Sequence, residues 1–349
     1  MTATLAPEAQ RWLDEAVFLV VGAGSIGRRH ARNLKALGAR HLWIYDVAPE
    51  RAQALAAEVQ GQAWHHWEAV LQAHPQVALI CSPPVFHIPQ ALDLARIQTH
   101  LFIEKPLSVS LEGVEALQAE VARHGLKVLV GCNFRFHPGL QQTRRWLEEG
   151  ALGRVLYARA VFGQYLPEWH PWEDYRKGYS ARRDLGGGVL LDRIHEFDTL
   201  WWLFGPPQRV QGWLGHTGAL EIETEDLVEA WLEYPQGLRA TVHTDYLNRR
   251  YTCRLEVLGT EGVLTWSFAP HQVTLYRAEK GEEVRLAWPR YDWNAMYVEQ
   301  LRHFLHVLAG LEDSIKPLGQ AVGLLQTVLS VRESALAGRW QEVPRPNDS

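Results

Sequence analysis

Three glycines, Gly22, Gly24 and Gly27, stand in the order G-x-G-x-x-G directly after a short apolar run, Val17 to Val21. A helical pattern follows, with Ile26, His30, Leu34 and Leu37 on one stripe and Gly38 placed to stop it. A second apolar run, Leu42 to Tyr45, ends in Asp46. Each part has a physical role. Gly22 permits the tight turn out of the strand, Gly24 lets backbone approach a pyrophosphate, and Gly27 lets the helix pack closely on the sheet. The helix N-terminus, with Ser25 and Ile26, offers N–H groups and a partial positive charge to phosphates. Asp46 stands where a carboxylate accepts hydrogen bonds from an adenosine ribose. Strand, turn, helix, strand and terminal acid occur in order, which points to dinucleotide binding. A carboxylate repels a 2′-phosphate, so Asp46 favours NAD over NADP. Arg51, close in sequence, softens that preference and keeps NADP possible. Asp46 also fits the N-cap of a helix starting near Pro49.

The pattern continues as an alternation. Helices fit Glu50 to Val59, Trp67 to Ala73, Phe86 to Arg96 and Leu111 to His124, the last with Ser110 as its cap. Strands fit Val77 to Cys81, His100 to Ile103 and Leu126 to Val130. Strands alternating with helices predict a doubly wound parallel sheet. After Gly131 and the helical stretch Pro138 to Glu149, the period changes to two, as in Leu238 to Leu247 and in Thr252 to Leu258 with its return, Val263 to Phe268. Further strands fit Val210 to Leu214, Asp226 to Glu233, Gln272 to Tyr276 and Glu283 to Trp288. That predicts an antiparallel or mixed sheet with one face covered. Helices fit Gly188 to Phe204, Met296 to Ala309 and Gly319 to Ala337. The expected organisation is an extension over 1–16, a nucleotide-binding domain over 17–131, a second domain over 132–341 and a loose tail over 342–349.

In an open α/β sheet, ligands bind beyond the carboxyl ends of the strands. Three segments fall there: Ser82-Pro-Pro with His87, Glu104-Lys-Pro106, and Gly131 to Pro138 with Asn133 and Arg135. Lys105 is the leading candidate for chemistry, since a lysine at such a position can exchange a proton with a substrate hydroxyl or hold its oxygen. A cis Pro106 would fix its direction. A plain surface Lys-Pro is the competing reading. The second cluster is Gly186-Gly-Gly188 ahead of Asp192 and His195, which, three apart, are expected as neighbours on one helical face. A carboxylate beside an imidazole makes a general base. A hydrogen-bonded interface histidine is the plainer alternative. A metal held by His195 and Asp198 is the weaker reading, because no other cluster has ligand spacing, and no metal is expected. Tyr165 to Arg183 is rich in Trp, Tyr and Arg, suited equally to a polyhydroxylated ligand and to packing on a neighbouring subunit.

Composition removes other classes. The net charge of −5 is mild, and Arg and Lys are scattered, which points away from nucleic acid and anionic membranes. The three cysteines, Cys81, Cys132 and Cys253, form no C-x-x-C pair, which fits a reducing, cytoplasmic setting. The first residues show no signal-peptide pattern, and no apolar run reaches membrane-spanning length.

Taken as a set, Gly22-Ala-Gly-Ser-Ile-Gly27, Ser82-Pro-Pro with His87, Glu104-Lys-Pro106, Asn133-Phe-Arg135 and Gly186-Gly-Gly188 before Asp192 and His195 resemble the glucose–fructose oxidoreductase / inositol dehydrogenase (Gfo/Idh/MocA) family. The resemblance implies an N-terminal Rossmann domain and a C-terminal α+β domain with a large, mostly antiparallel open sheet, through which members assemble as dimers or tetramers. It implies NAD(P)-dependent oxidation or reduction of a sugar, cyclitol or sugar derivative. Carried over, Lys105, His195 and Asp192 are catalytic. Gly22, Gly24, Ser25, Ile26, Gly27, Asp46, Ser82, Pro83, His87, Glu104 and Lys105 hold the cofactor. Asn133, Arg135, Tyr165, Asp192 and His195 face the substrate. In Asp192-Arg-Ile-His195 two residues intervene where many members have three, which turns one side chain by about 100° relative to the other on a helix. Reduction of a C=C or C=N bond, as in biliverdin-reductase-like relatives, is one rival reading. A nucleotide-sensing protein without turnover is another.

Overall fold

The computed structural model describes residues 5–169 and 171–344. Over these residues the chain forms two compact units. One runs to Asn133 and takes back Asn294–Val322; the other is Phe134–Trp293 with the residues from Gly323 on.

In the first unit the helix α1 (Pro7–Glu15) precedes the strand β1 (Val17–Val21). Then follow α2 (Ser25–Leu37), β2 (His41–Tyr45), α3 (Pro49–Val59), β3 (Gln62–Trp64), α4 (Trp67–Gln72) and β4 (Val77–Ile80). After these come α5 (His87–Arg96), β5 (His100–Ile103), α6 (Val114–His124) and β6 (Val128–Val130). The six strands are all parallel, in the order β3-β2-β1-β4-β5-β6. Both faces are covered, so β1 and β4 are continuous apolar runs, buried along nearly their whole length. The order reverses between β1 and β4, which opens the crevice where doubly wound sheets bind ligands.

In the second unit come α7 (Pro138–Glu148), β7 (Val155–Gly163), α8 (Val189–Asp192), α9 (His195–Phe204), β8 (Arg209–Gly215), β9 (Leu227–Glu233) and β10 (Arg239–Asp245). These are followed by β11 (Thr252–Gly259), β12 (Gly262–Ser267), β13 (Gln272–Arg277) and β14 (Glu282–Ala287). The helix α10 (Asn294–Leu308) belongs to the first unit, and α11 (Leu318–Ala337) leads on to β15 (Gln341–Glu342). The sheet order is β14-β13-β12-β11-β7-β10-β9-β8-β15, antiparallel except for the β7–β10 pair. In β9, Val228, Ala230 and Leu232 are buried while Glu229 and Trp231 are exposed, the alternation of a sheet covered on one face.

Four local expectations are corrected. The helix expected from Leu111 starts at Val114, with Gly113 at a φ of 74°, and an added Cβ on Gly113 would sit 2.9 Å from Ile88. Ser110 therefore does not cap it; its hydroxyl accepts from the Glu112 N–H at 3.4 Å instead. Asp46 does not cap α3, whose N-cap is Ala48. The helix expected over Gly188–Phe204 breaks after Asp192, at Arg193 (φ −100°, ψ 40°). There the guanidinium lies 3.5 Å over the Phe162 ring and pairs with Glu196 at 2.9 Å, contacts that outweigh two more helical residues. Of the tail expected from Glu342, Glu342 itself pairs with Arg209, and residues 345–349 lie outside the described residues.

Candidate active site

The nucleotide cradle is built by the ends of β1, β2 and β4. Gly22 has a φ of 95°, and an added Cβ would stand 2.8 Å from the Cys81 carbonyl oxygen, so the two strand ends nearly touch. At Gly27 a Cβ would lie 1.8 Å from the Gly22 carbonyl oxygen, and only glycine lets α2 start here. At Gly24 a Cβ meets nothing within 4 Å: the backbone faces open space. The first bond inside α2 runs from the Arg28 N–H to the Gly24 carbonyl, so the N–H groups of the first turn point outward. A dinucleotide pyrophosphate fits this cradle, open at Gly24 and bounded by N–H donors. Asp46 is buried. Its Oδ2 accepts from the Ala23 N–H at 2.7 Å and its Oδ1 from the Ala48 N–H at 2.9 Å, which ties the glycine turn to the end of β2.

Beside the cradle, His87 bridges two loops. Its Nδ1 lies 2.9 Å from the Pro106 carbonyl oxygen and its Nε2 2.8 Å from that of Ser82. Burial lowers its pKa, and the two carbonyls only partly offset this. The Ser82 hydroxyl donates to Gln90 at 2.7 Å. Glu104 follows β5 directly and is buried. Its Oε1 is 2.7 Å from His30 Nε2, and its Oε2 accepts the Lys105 N–H at 3.1 Å. Burial raises its pKa, but the hydrogen-bonded and electrostatic contact with His30, and after it the neighbouring Lys105, outweigh burial, and the net direction is down. The Lys105–Pro106 bond is cis. The eleven residues expected to hold cofactor thus lie at the carboxyl ends of β1, β2, β4 and β5, in the turns that follow, or in the first turns of α2 and α5. Asn133 is buried at the start of a 3₁₀ turn, Asn133–Phe136, after β6.

The second unit carries the other candidates. His195 opens α9, 6% exposed, and its ring stacks on Phe134 at 4.6 Å and 16°. Phe134 stacks in turn on Phe268 at 5.4 Å. Asp192 ends α8 and is caged by hydroxyls: Tyr179 donates to Oδ1, Ser180 to Oδ2 at 2.8 Å, and Tyr246 to Oδ2 at 2.9 Å. Tyr246 is fully buried, and burial first, then the Asp192 charge, hold its pKa far above the usual phenol range. Sequence reading placed Tyr179 and Ser180 only within the Tyr165–Arg183 stretch, His30 only on a helical stripe and Tyr246 only within the Leu238 to Leu247 strand; none of their partners was foreseen, because no spacing betrays a contact between separate segments. Arg135 is fully buried and forked onto Asp198. Tyr165 lies under the Arg249 guanidinium, 3.4 Å from ring centre to Cζ. Among the described residues no group of three or more His, Cys, Asp or Glu side chains is arranged to hold a metal ion. All three cysteines are buried free thiols.

Residues 17–132 match the model of an oxidoreductase family with an NAD-binding Rossmann fold, and residues 140–265 match a GFO/IDH/MocA C-terminal domain. A myo-inositol dehydrogenase (Hyg17) of Streptomyces leeuwenhoekii is 30% identical over 348 residues, 93% of this chain and 99% of its own length. The scyllo-inositol 2-dehydrogenase (NAD(+)) of Bacillus subtilis (strain 168) is 25% identical over 299 residues, covering 82% and 84%. Among solved structures, levoglucosan dehydrogenase in complex with NADH and L-sorbose superposes with a TM-score of 0.84 at 19% identity, over 95% of this chain and 99% of that one. That likeness is one of fold.

Proposed function

Because this chain belongs to the GFO/IDH/MocA family of NAD-binding oxidoreductases, we propose that it is an NAD-dependent dehydrogenase or reductase acting on a secondary alcohol or ketone of a sugar, cyclitol or sugar derivative. The observation that carries the reading is the convergence of the glycine cradle, Asp46 and Lys105 on the carboxyl edge of one parallel sheet. Bound NAD supplies a hydride acceptor, or as NADH a donor, at its nicotinamide C4. The chain's own residues supply the rest. His195 takes the hydroxyl proton of the alcohol or returns it to the ketone oxygen. Lys105 holds and polarises that oxygen with its ammonium. Asp192, gripped by Tyr179, Ser180 and Tyr246, fixes the chain from which His195 projects and so orients it. Arg135 acts as a positioning residue, tying its own turn to α9 through Asp198. Asn133 and Tyr165 are assigned to substrate hydroxyls. Asp46 supports NAD; an NADP 2′-phosphate would meet its charge.

The open face of the nine-stranded sheet, with Trp213 54% and Trp231 52% exposed on neighbouring strands, supports assembly into a dimer or tetramer. Sedimentation of W231E should then give a smaller species than the parent, and an unchanged one would remove this face from the assembly. Among the described residues no helix is long and apolar enough to cross a membrane, and the free cysteines support a cytoplasmic setting.

The test of the catalytic reading is K105A, assayed with NAD or NADH against a panel of cyclitols and keto-sugars. Turnover should fall by about 10²-fold or more, while NADH affinity by fluorescence stays within a few-fold. Wild-type turnover in K105A would end the role of Lys105. Absence of turnover in the parent protein on every member of the panel, with NADH bound, would favour a nucleotide sensor.

A further inference from the structure

The first unit buries a contact that the proposed chemistry leaves unused. His30 lies on the inner side of α2, fully buried, with its ring in edge-to-face contact with Phe102 and Tyr297 at 4.9 and 5.9 Å between centroids. Its Nε2 meets Glu104 Oε1 at 2.7 Å, and its Nδ1 is buried with no hydrogen-bond partner. Nδ1 has no acceptor to donate to, so Nε2 is the nitrogen that engages the carboxylate, and its N–H donates to Oε1. The other oxygen, Oε2, accepts the N–H of Lys105 at 3.1 Å. Gly131 closes the remaining side: a Cβ there would stand 3.1 Å from Oε2 and 3.2 Å from the Lys105 nitrogen. The carboxylate is therefore fixed from three directions, and the backbone of Lys105 hangs on it.

We propose that His30 is a positioning residue for Lys105: its Nε2–H and the Glu104 carboxylate form a buried clamp that fixes the Lys105 backbone, and hence the direction of its ammonium, to the helix whose first turn receives the cofactor phosphates. The consequence is mechanical. One rigid element, α2, carries both the phosphate donors at its start and the anchor of the lysine a turn further on. A ligating group held this way keeps its geometry only if its supporting shell is fixed. The inference rests on the reading of Lys105 given above, and its test separates the two.

The experiment compares H30L, H30Q and K105A with the parent enzyme by three measurements: kcat at saturating substrate, NADH dissociation constant by fluorescence, and amide hydrogen exchange of the peptide containing Lys105. H30L removes the donor; H30Q keeps an N–H in place of Nε2–H. H30L should lower kcat by about tenfold or more with the NADH constant within about threefold, and should speed exchange at Lys105. H30Q should restore both readouts to within about threefold of the parent. Parent-like kcat and exchange in H30L, or equal losses in H30L and H30Q, would overturn the clamp. If H30L does not fold, E104Q takes its place, since its amide cannot accept from both donors; parent-like kcat and exchange in E104Q would likewise overturn the proposal. Full turnover in K105A would instead overturn the reading of Lys105, and the exchange at Lys105 in H30L would still decide the clamp.

Discussion

Arg135 and Asp198 meet fork to fork: Nε lies 3.0 Å from Oδ2 and Nη2 2.7 Å from Oδ1, with both side chains 1% exposed. Two parallel charge-assisted hydrogen bonds fix the turn that carries Phe134, and Phe134 is the ring on which His195 stacks. Breaking such a pair takes the hydrogen-bonded counter-charge from a buried ion. D198A should therefore lose about 3–5 kcal/mol of stability in urea unfolding. Replacing both partners by apolar residues of similar volume, as in R135M/D198L, should recover most of that loss. A loss under about 1 kcal/mol in D198A would mean that water reaches the pair.

The glycines of the nucleotide turn separate binding from folding. An added Cβ at Gly24 meets nothing within 4 Å, whereas at Gly27 it would overlap the Gly22 carbonyl oxygen at 1.8 Å. G24A should unfold within about 0.5 kcal/mol of the parent. Its methyl group would nonetheless stand in the pyrophosphate's approach, and NADH affinity should drop by about tenfold or more. G27A should lose about 1–3 kcal/mol of stability through overpacking. Parent-like NADH binding by G24A would show that the phosphates lie elsewhere.

Acid should weaken the second unit through His137. Its Nδ1 accepts from the Gly139 N–H at 3.0 Å and the Trp266 Nε1–H at 3.1 Å, so the proton sits on Nε2, which donates to His271 Nδ1 at 3.2 Å. Burial, with a smaller contribution from His271, pushes its pKa down to about 3 from an ordinary 6.5. A histidine with a folded pKa below its unfolded one takes up its proton only on unfolding. Its contribution is complete above pH 6.5 and is lost as the pH falls from there towards 3, at up to about 1.4 kcal/mol per pH unit. H137N keeps an acceptor for the Gly139 N–H but does not titrate, so its unfolding free energy should fall less steeply over that window. Parallel acid limbs for the two proteins would exclude His137 as the source.

Much of the first unit could be read from the chain because its determinants are local. The Val17–Val21 run, the three glycines and the stop at Gly38 coincide with β1, the turn and the left-handed end of α2. Both apolar strand runs and helix stripes are periodic signals that tertiary contacts reinforce. Gln62–Trp64 was missed as a strand, being three residues of mixed character whose pairing with β2 comes from outside the segment. The break at Arg193 was equally invisible, because the Phe162 ring under its guanidinium lies on β7, about thirty residues earlier in the chain. At the candidate site the identities Lys105, Asp192 and His195 stood out by motif. Their supports, His30, Tyr179, Ser180 and Tyr246, did not, since a hydrogen bond between distant segments leaves no spacing to detect.

Asp46 bears on any attempt to redesign coenzyme choice. Its two oxygens already receive the Ala23 and Ala48 N–H groups. Exchanging it for a neutral or basic residue to welcome a 2′-phosphate would also unfasten the glycine turn from the neighbouring strand. The residue proposed to disfavour a 2′-phosphate is thus also the one that holds the turn in place. An NADP-accepting variant will need a replacement tether for the Ala23 N–H, for example a short hydroxyl or amide at position 46, before new cations nearby can raise affinity.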